Sequence, residues 1–289
     1  MTSTTVGIDR AALLETAQGM GALPVTVSQL VRLVADDDYE IRDLVGIVSL
    51  DQSLMASLLR QANSAASAPV APVTTIRDAA VRLGVSSLLS MALAATVSDK
   101  MNAALPGYAM SEGDLWRESV AASVAADVLR VKASVEVPVE AGTAALLHDL
   151  GKVVLSAHLG TQVLEVLGRT AAETDGQKLL EAEDATLGVN HVEVGAMVAE
   201  QWQLPATIVE AIRCHHELGT DLSPVSATVS VAHAMVPQVL SPDELVSPIV
   251  PMAHRGLVRR LGIDPGTYPA VLATVRARYA ELAERYGVD

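Results

Sequence analysis

Phenylalanine is absent from this 289-residue chain, and two tryptophans and five tyrosines bring aromatics to only 2%. Stacking platforms for single-stranded nucleic acid are therefore scarce, and the core has to be built from Leu, Val, Ala, Ile and Met. Cysteine is almost missing as well. Cys214 alone excludes an internal disulfide framework and fits a reducing cytoplasm. Basic residues are few: 20 Lys and Arg stand against 34 Asp and Glu, a net charge of −14. Sequence-independent binding of nucleic acid needs clustered Lys and Arg, and the one cluster is Arg255, Arg259 and Arg260. Long apolar runs are lacking although half the residues are apolar. The best candidate, Val81 to Val97, is broken by Arg82, Gly84 and three serines, so no membrane span is expected. The opening stretch, MTSTTVGIDRAALLET, has no basic segment leading into an apolar one, which argues against a signal peptide.

Alternating, strand-like patterns are also rare, and helical spacing dominates. Val27, Leu30, Val31 and Val34 make one apolar stripe; Leu54, Leu58, Leu59 and Ala62 make another. Asp51, Thr75 and Ser111 each precede a helical run and can cap its orphan N–H groups. Pro24 and Pro205 sit where a first helical turn tolerates proline, and Gly84 sits where a helix could end. The reading is all-α, with roughly a dozen helices. A boundary is expected near 100–112, where MNAALPGYAMSEGD gathers Pro106, two glycines and polar residues. The divisions are 20–105, 110–240 and a C-terminal extension, 241–289, whose SPDELVSPIVP start is broken by proline. Pro265 to Tyr286 reads as a closing helix, with Val271, Val275, Tyr279 and Leu282 on one stripe.

All seven histidines fall in the second half. Imidazole is the preferred nitrogen ligand of zinc and other transition metals, with carboxylates in support. The candidates are His148-Asp149, His191, His215-His216 and His233. Adjacent helical residues diverge by about 100°, so His148 and Asp149 meet one ion only at a helix crossing, unless Asp149 bridges two. Bland readings stand beside this one. His148-Asp149 could be a hydrogen-bonded helix terminus, His191 a helix-start group, and His233 a satisfied core histidine. His215-His216 could be a cationic pair favoured by the helix dipole. His158 and His254 read as surface residues, Cys214 as a small buried hydrophobe and Trp202 as core packing.

Several of these residues, in order, resemble the HDOD family, regulatory relatives of the HD phosphohydrolases. The N-terminal half carries ALPVTVSQLVRLVADDDYEIRDLVGIVSLDQSLMASLLRQANSA at 22–65 and TIRDAAVRLGVSSLLSMAL at 75–93. The second half carries LW near 115, LHDLGK at 147–152 and HVEVGAMVAEQWQLPATIVEAIRCHHE at 191–217. The likeness covers about residues 20–240. It implies a helical N-terminal lobe packed on an HD-like helical lobe. In catalytic HD relatives, histidines, the HD doublet and a final aspartate hold metals that activate water. Here the doublet is His148-Asp149, and His191, His215 and His216 match later histidines. Glu118 stands where the first histidine is expected, and His233 stands where the last aspartate is. Lys152 follows the doublet as in catalytic relatives, where it can hold a phosphate, although it also reads as a solvent-exposed lysine near a helix end. Arg60 and Asn63 are candidates for a cleft between lobes, Asn63 also reading as a simple helix end.

The segment after His216 lacks the GYP continuation of cyclic-dinucleotide phosphodiesterases, and no sensor or output domain is recognisable. The resemblance therefore implies a non-catalytic signalling protein that binds a protein partner, or a nucleotide such as a cyclic dinucleotide, and the lone cysteine places it in the cytoplasm. A partly exposed apolar groove is expected for the partner. The alternative is a metal-dependent phosphohydrolase acting on a phosphoester or nucleotide, with Asp149 and Lys152 as its catalytic groups. A purely structural metal is a third reading. The candidate ions are Fe, Mn, Ni and Zn.

Overall fold

The computed structural model describes residues 10–36, 38–63, 72–158, 176–219, 221–241, 250–286 and 288. Every regular element among them is a helix, apart from one isolated bridge between Leu105 and Met110. In chain order they are α1 (Arg10–Gly19), α2 (Val25–Val34), α3 (Ile41–Ser49), α4 (Gln52–Ala62), α5 (Ile76–Leu83), α6 (Val85–Met101) and α7 (Asp114–Lys132). Then follow α8 (Ala141–Leu147), α9 (Leu150–Ser156), α10 (Gly176–Leu187), α11 (His191–Gln201), α12 (Ala206–Cys214) and α13 (Pro224–Leu240). Two more close the chain, α14 (Arg255–Arg260) and α15 (Tyr268–Tyr286). Most of SPDELVSPIVP lies outside the described residues.

Local chemistry accounts for many of the ends. Asp51 Oδ1 accepts from the Leu54 N–H at 2.9 Å and starts α4; Thr75 Oγ1 accepts from the Asp78 N–H at 3.1 Å and starts α5. Gly84 stops α5 at φ 83°, a left-handed value that glycine adopts without strain, and α6 leaves at 112° to α5. Ser111 is not a cap. Gly113 holds the N-cap position of α7 at φ 84°, and the Ser111 N–H instead donates to Asp114 Oδ2 at 2.6 Å. The stripe of α2 is buried at Val27, Leu30, Val31 and Val34, and that of α15 at Val271, Val275 and Leu282.

Helix α6 packs both on α2, α4 and α5 and on α7, α8 and α9. Helix α7 is the hub of the second half, lying against α8, α13 and α15, with Leu115, Trp116 and Leu129 fully buried. One continuous apolar core runs through all of these helices. Trp202 is buried in it, and its indole N–H donates to the Gly21 carbonyl at 2.7 Å, tying the end of α11 to the α1–α2 turn. No single helix among the described residues is long and apolar enough to cross a membrane; α5 and α6 pass that test only jointly, across their bend.

Candidate metal centre

Helix α8 is made of small and apolar residues, Ala-Gly-Thr-Ala-Ala-Leu-Leu, and all seven are buried. Its carboxyl end is His148. The chain then breaks helical geometry at Asp149 (φ −100°, ψ 10°), which becomes the N-cap of α9. That break removes the angular divergence of consecutive helical residues, so both side chains reach one point. Helix α9 runs so close to α11 that a Cβ at Gly151 would collide with the His191 carbonyl oxygen and lie 2.7 Å from the Gly195 nitrogen. Two glycines thus bring Asp149 against His191, the first residue of α11. His215 closes α12, His216 follows it, and His233 comes from within α13.

These six side chains converge. Asp149 Oδ1 lies 3.3 Å from His191 Nε2 and 3.6 Å from His215 Nε2, and Oδ2 lies 3.3 Å from His148 Nε2. His191 Nε2 and His216 Nε2 are 3.2 Å apart; His148 Nε2 and His233 Nδ1 are 2.9 Å apart. The donor atoms form two overlapping groups, each within 4.8 Å: Asp149, His191, His215 and His216, and His148, His215 and His233. His148, Asp149, His191 and His215 have no solvent exposure, whereas His216 and His233 are half-buried and form the rim.

The far side of three rings is fixed. His148 Nδ1 contacts the Ala145 carbonyl at 2.7 Å, His215 Nδ1 the Ile212 carbonyl at 2.8 Å, and His191 Nδ1 the Glu183 carboxylate at 2.7 Å. Carbonyl and carboxylate oxygens only accept, so each Nδ1 donates. In the neutral ring that leaves the Nε2 lone pair facing inward. Inward lone pairs then face the acceptor oxygens of Asp149. Asp149 Oδ1 and His215 Nε2 are buried with no hydrogen-bond partner, an arrangement that costs about 1–3 kcal/mol per atom unless something satisfies it. A cation between them would satisfy both. The donor set, five imidazoles and one carboxylate, fits a first-row transition ion.

Electrostatics agree. Burial, assisted by neighbouring rings, pushes His215 down to about 4 and His216 and His233 well below the ordinary imidazole range. Neutral imidazole is the ligating form. His215 and His216 are therefore not the cationic helix-end pair that the dipole reading suggested. For Asp149, burial raises the carboxyl, but Lys152 and His148 outweigh it and hold it well below the usual range. Burial lowers His191, yet Glu183 and Asp149 bring it above its ordinary value.

Lys152 is not at the surface: it is 7% exposed, and its ammonium lies 2.7 Å from Asp149 Oδ2. Its charge is spent on the carboxylate because both are buried. Glu118, on α7, is near enough to feel Lys152, Asp149 and His148 electrostatically but stands outside both ligand groups. Arg60 is exposed. Asn63 uses its whole amide on backbone, donating to the Leu59 and Val73 carbonyls and accepting from the Val73 N–H. His158 is half-buried, with Nε2 2.5 Å from Thr16 Oγ1, and His254 is half-buried too; neither is a free surface residue. Cys214 is half-buried beside Glu217, and burial pushes its thiol up to about 11. Sequence reasoning missed Glu183 and Tyr108. Glu183 lies eight residues before His191 across a turn, and no helical spacing links the two.

The helices and the cluster together define an HD-like helical protein with a polyhistidine-carboxylate centre. The HDOD domain pattern matches residues 20–218, and the chain belongs to the HDOD family. Three solved structures share the fold. An HDOD domain protein of unknown function from Geobacter sulfurreducens aligns at TM-score 0.68 and 23% identity, over 96% of each chain. A Shewanella amazonensis protein provisionally named a phosphohydrolase aligns at 0.67 and 23%, over 99% of this chain and all of that one. A Marinobacter aquaeolei protein provisionally named for signal transduction aligns at 0.70 and 18%, over 99% and 68%. A Treponema pallidum protein of uncharacterised role is 23% identical over 230 residues, 78% of this chain but only 44% of its own length. This chain thus spans less than half of that relative. At these identities the likenesses establish the fold.

Proposed function

We propose that this chain is a metal-loaded signalling protein of the HDOD family, working in the reducing cytoplasm. His148, Asp149, His191, His215, His216 and His233 would hold one or two ions of Fe, Mn, Ni or Zn, and the resulting arrangement of helices would be read by a protein partner. The observation that carries the metal is the pair of buried, unpartnered atoms, Asp149 Oδ1 and His215 Nε2, at the point where the ligand-type atoms meet. A non-catalytic role is supported by the burial of the centre and by Lys152, whose ammonium is committed to Asp149 rather than open to a phosphate. The net charge of −14 favours a protein over a polyanionic partner.

A second reading, a phosphohydrolase acting on a phosphoester or nucleotide, is favoured by one observation. His216 and His233 are half-buried, so the ligand cluster has a rim that solvent reaches. A bound first-row ion there would act as a Lewis acid and lower the pKa of a bound water.

The test is metal analysis of protein purified without a histidine tag or chelator, alongside His148→Ala and Asp149→Ala. We expect near-stoichiometric transition metal in the wild type, loss of it in both variants, and no turnover of nucleotide or cyclic-dinucleotide phosphoesters by the loaded protein. Turnover that tracks metal content would replace the signalling reading with the hydrolase. A wild type that stays metal-free after incubation with all four ions would remove both.

A further inference from the structure

Glu183 is a carboxylate with no solvent exposure, carried by α10, outside the ligand set. Its two oxygens are divided between two parts of the molecule. Oε2 accepts from the His191 backbone N–H at 2.9 Å and from His191 Nδ1 at 2.7 Å. Oε1 accepts from the Tyr108 hydroxyl at 2.8 Å. Tyr108 is itself buried and belongs to the connector between α6 and α7. That connector is a closed knot. Leu105 and Met110 exchange backbone hydrogen bonds at 2.9 and 3.2 Å, Ala109 is held at φ 54°, and the Gly113 N–H donates to the Asn102 carbonyl at 2.8 Å. Lys152 lies over the Tyr108 ring, 5.8 Å from its centroid. The connector therefore touches the centre through one carboxylate and one ammonium.

From this geometry we infer that Glu183 is the positioning residue of His191, and that through Tyr108 it couples metal at the centre to the connector 102–113. The inference rests on the metal reading above. A carboxylate that accepts from Nδ1 fixes which ring nitrogen faces the ion and raises the basicity of the other. With an ion held at Nε2, the Nδ1 proton would be a stronger donor to Glu183. The other oxygen of the Glu183 carboxylate is held by the Tyr108 hydroxyl, and Lys152 feels the same carboxylate electrostatically. Burial and Glu183 push that phenol well up, so it stays a donor. The chain of contacts runs from the centre to the segment joining the N-terminal helices to the HD-like ones, where a change in helix arrangement would register.

Two measurements test it. The first needs no metal. In histidine-labelled protein, the His191 Nδ1 proton should resonate well downfield, as a proton shared with a carboxylate does, and should move upfield in Glu183→Gln. A wild type lacking that resonance, or a variant that keeps it unmoved, overturns the positioning role whether or not metal binds. The second uses zinc. Glu183→Gln should bind zinc roughly 10–100-fold more weakly in chelator competition. At saturating zinc, wild type should show slower hydrogen exchange in 102–113 than without zinc, and Tyr108→Phe should lose that difference. Unchanged affinity in Glu183→Gln overturns the positioning, and a zinc effect on 102–113 that is absent in wild type or persists in Tyr108→Phe overturns the coupling. Failure of the wild type to take up zinc sinks the metal reading and the coupling with it, while the resonance still decides the positioning.

Discussion

Lys152 sits beside the centre without belonging to its ligand set. Its ammonium and the Asp149 carboxylate are both buried, 2.7 Å apart. Removing one member of a buried pair leaves the other uncompensated, which typically costs about 3–5 kcal/mol. Lys152→Met keeps most of the stem volume and removes the charge. We expect the metal-free variant to unfold at lower denaturant, by about 3 kcal/mol. We also expect zinc to raise its melting temperature more than it raises that of wild type, because the ion supplies the lost positive charge. Equal zinc shifts in the two proteins would show that Lys152 does not neutralise Asp149. At this scale the sequence was informative about which side chains converge and poor about burial. His148, Asp149, His191, His215, His216 and His233 could be singled out by residue type, but a lysine after a glycine looks solvated until Asp149 and the Tyr108 ring are seen against it.

The elements that build the site depend on close approach. Gly151 faces the His191 carbonyl and the Gly195 nitrogen, and a Cβ at Gly195 would lie 3.0 Å from Ile212. Helix α9 is thus packed on α11 at a distance only glycine allows, and α12 lies tight against Gly195. Gly151→Ala would push α9 off α11 and pull Asp149 away from His191. Overpacking of this kind costs about 1–3 kcal/mol. We expect a loss of stability in that range together with loss of bound metal, measured by denaturant unfolding and by metal content. Gly188→Ala is a useful contrast: it strains a turn at φ 74° where nothing crowds the added Cβ, so it should lower stability and leave more of the metal bound. Metal retained in full by Gly151→Ala would argue that the helix contact does not set the ligand geometry. The helices themselves were legible where they are one-sided. The stripe of α2 and the caps Asp51 and Thr75 follow from spacing and side-chain chemistry. Helix α7 is buried on nearly all sides, so it has no stripe, and its start was displaced from Ser111 because Gly113 takes a left-handed turn. Glu183 was invisible for a similar reason: α10 meets α11 only after the Gly188 turn, and a pairing made by tertiary geometry leaves no periodic trace.

For the molecule as a whole, the all-α architecture followed from helical spacing and the lack of alternation, because those patterns are local. The convergence of α8, α9, α11, α12 and α13 on one point is not local, and it fixes how the fold responds to acid. His215 is depressed from 6.5 to about 4, with burial as the main cause. The unfolded chain therefore takes up a proton on this group before the folded one does, so its share of stability is fully present above pH 6.5 and is lost as the pH falls from 6.5 toward 4. A depression of that size corresponds to at most about 3.5 kcal/mol. His216 and His233 are depressed in the same direction, while His191 is raised and opposes them. His254 is depressed too, and these four outweigh His191 and the raised carboxyls of Glu118 and Asp127, so the chelated protein should lose melting temperature as the pH falls from 6.5 toward 4. Metal-loaded protein should resist until protons displace the ion from the imidazoles, since ligation and protonation compete for the same lone pairs. Its melting curve should then fall onto that of the chelated protein, with release of metal at the same pH. A chelated protein whose melting temperature is flat or rising on acidification would mean that the imidazole cluster is not held neutral by the fold. The acid response of the whole chain would then have to come from its carboxylates.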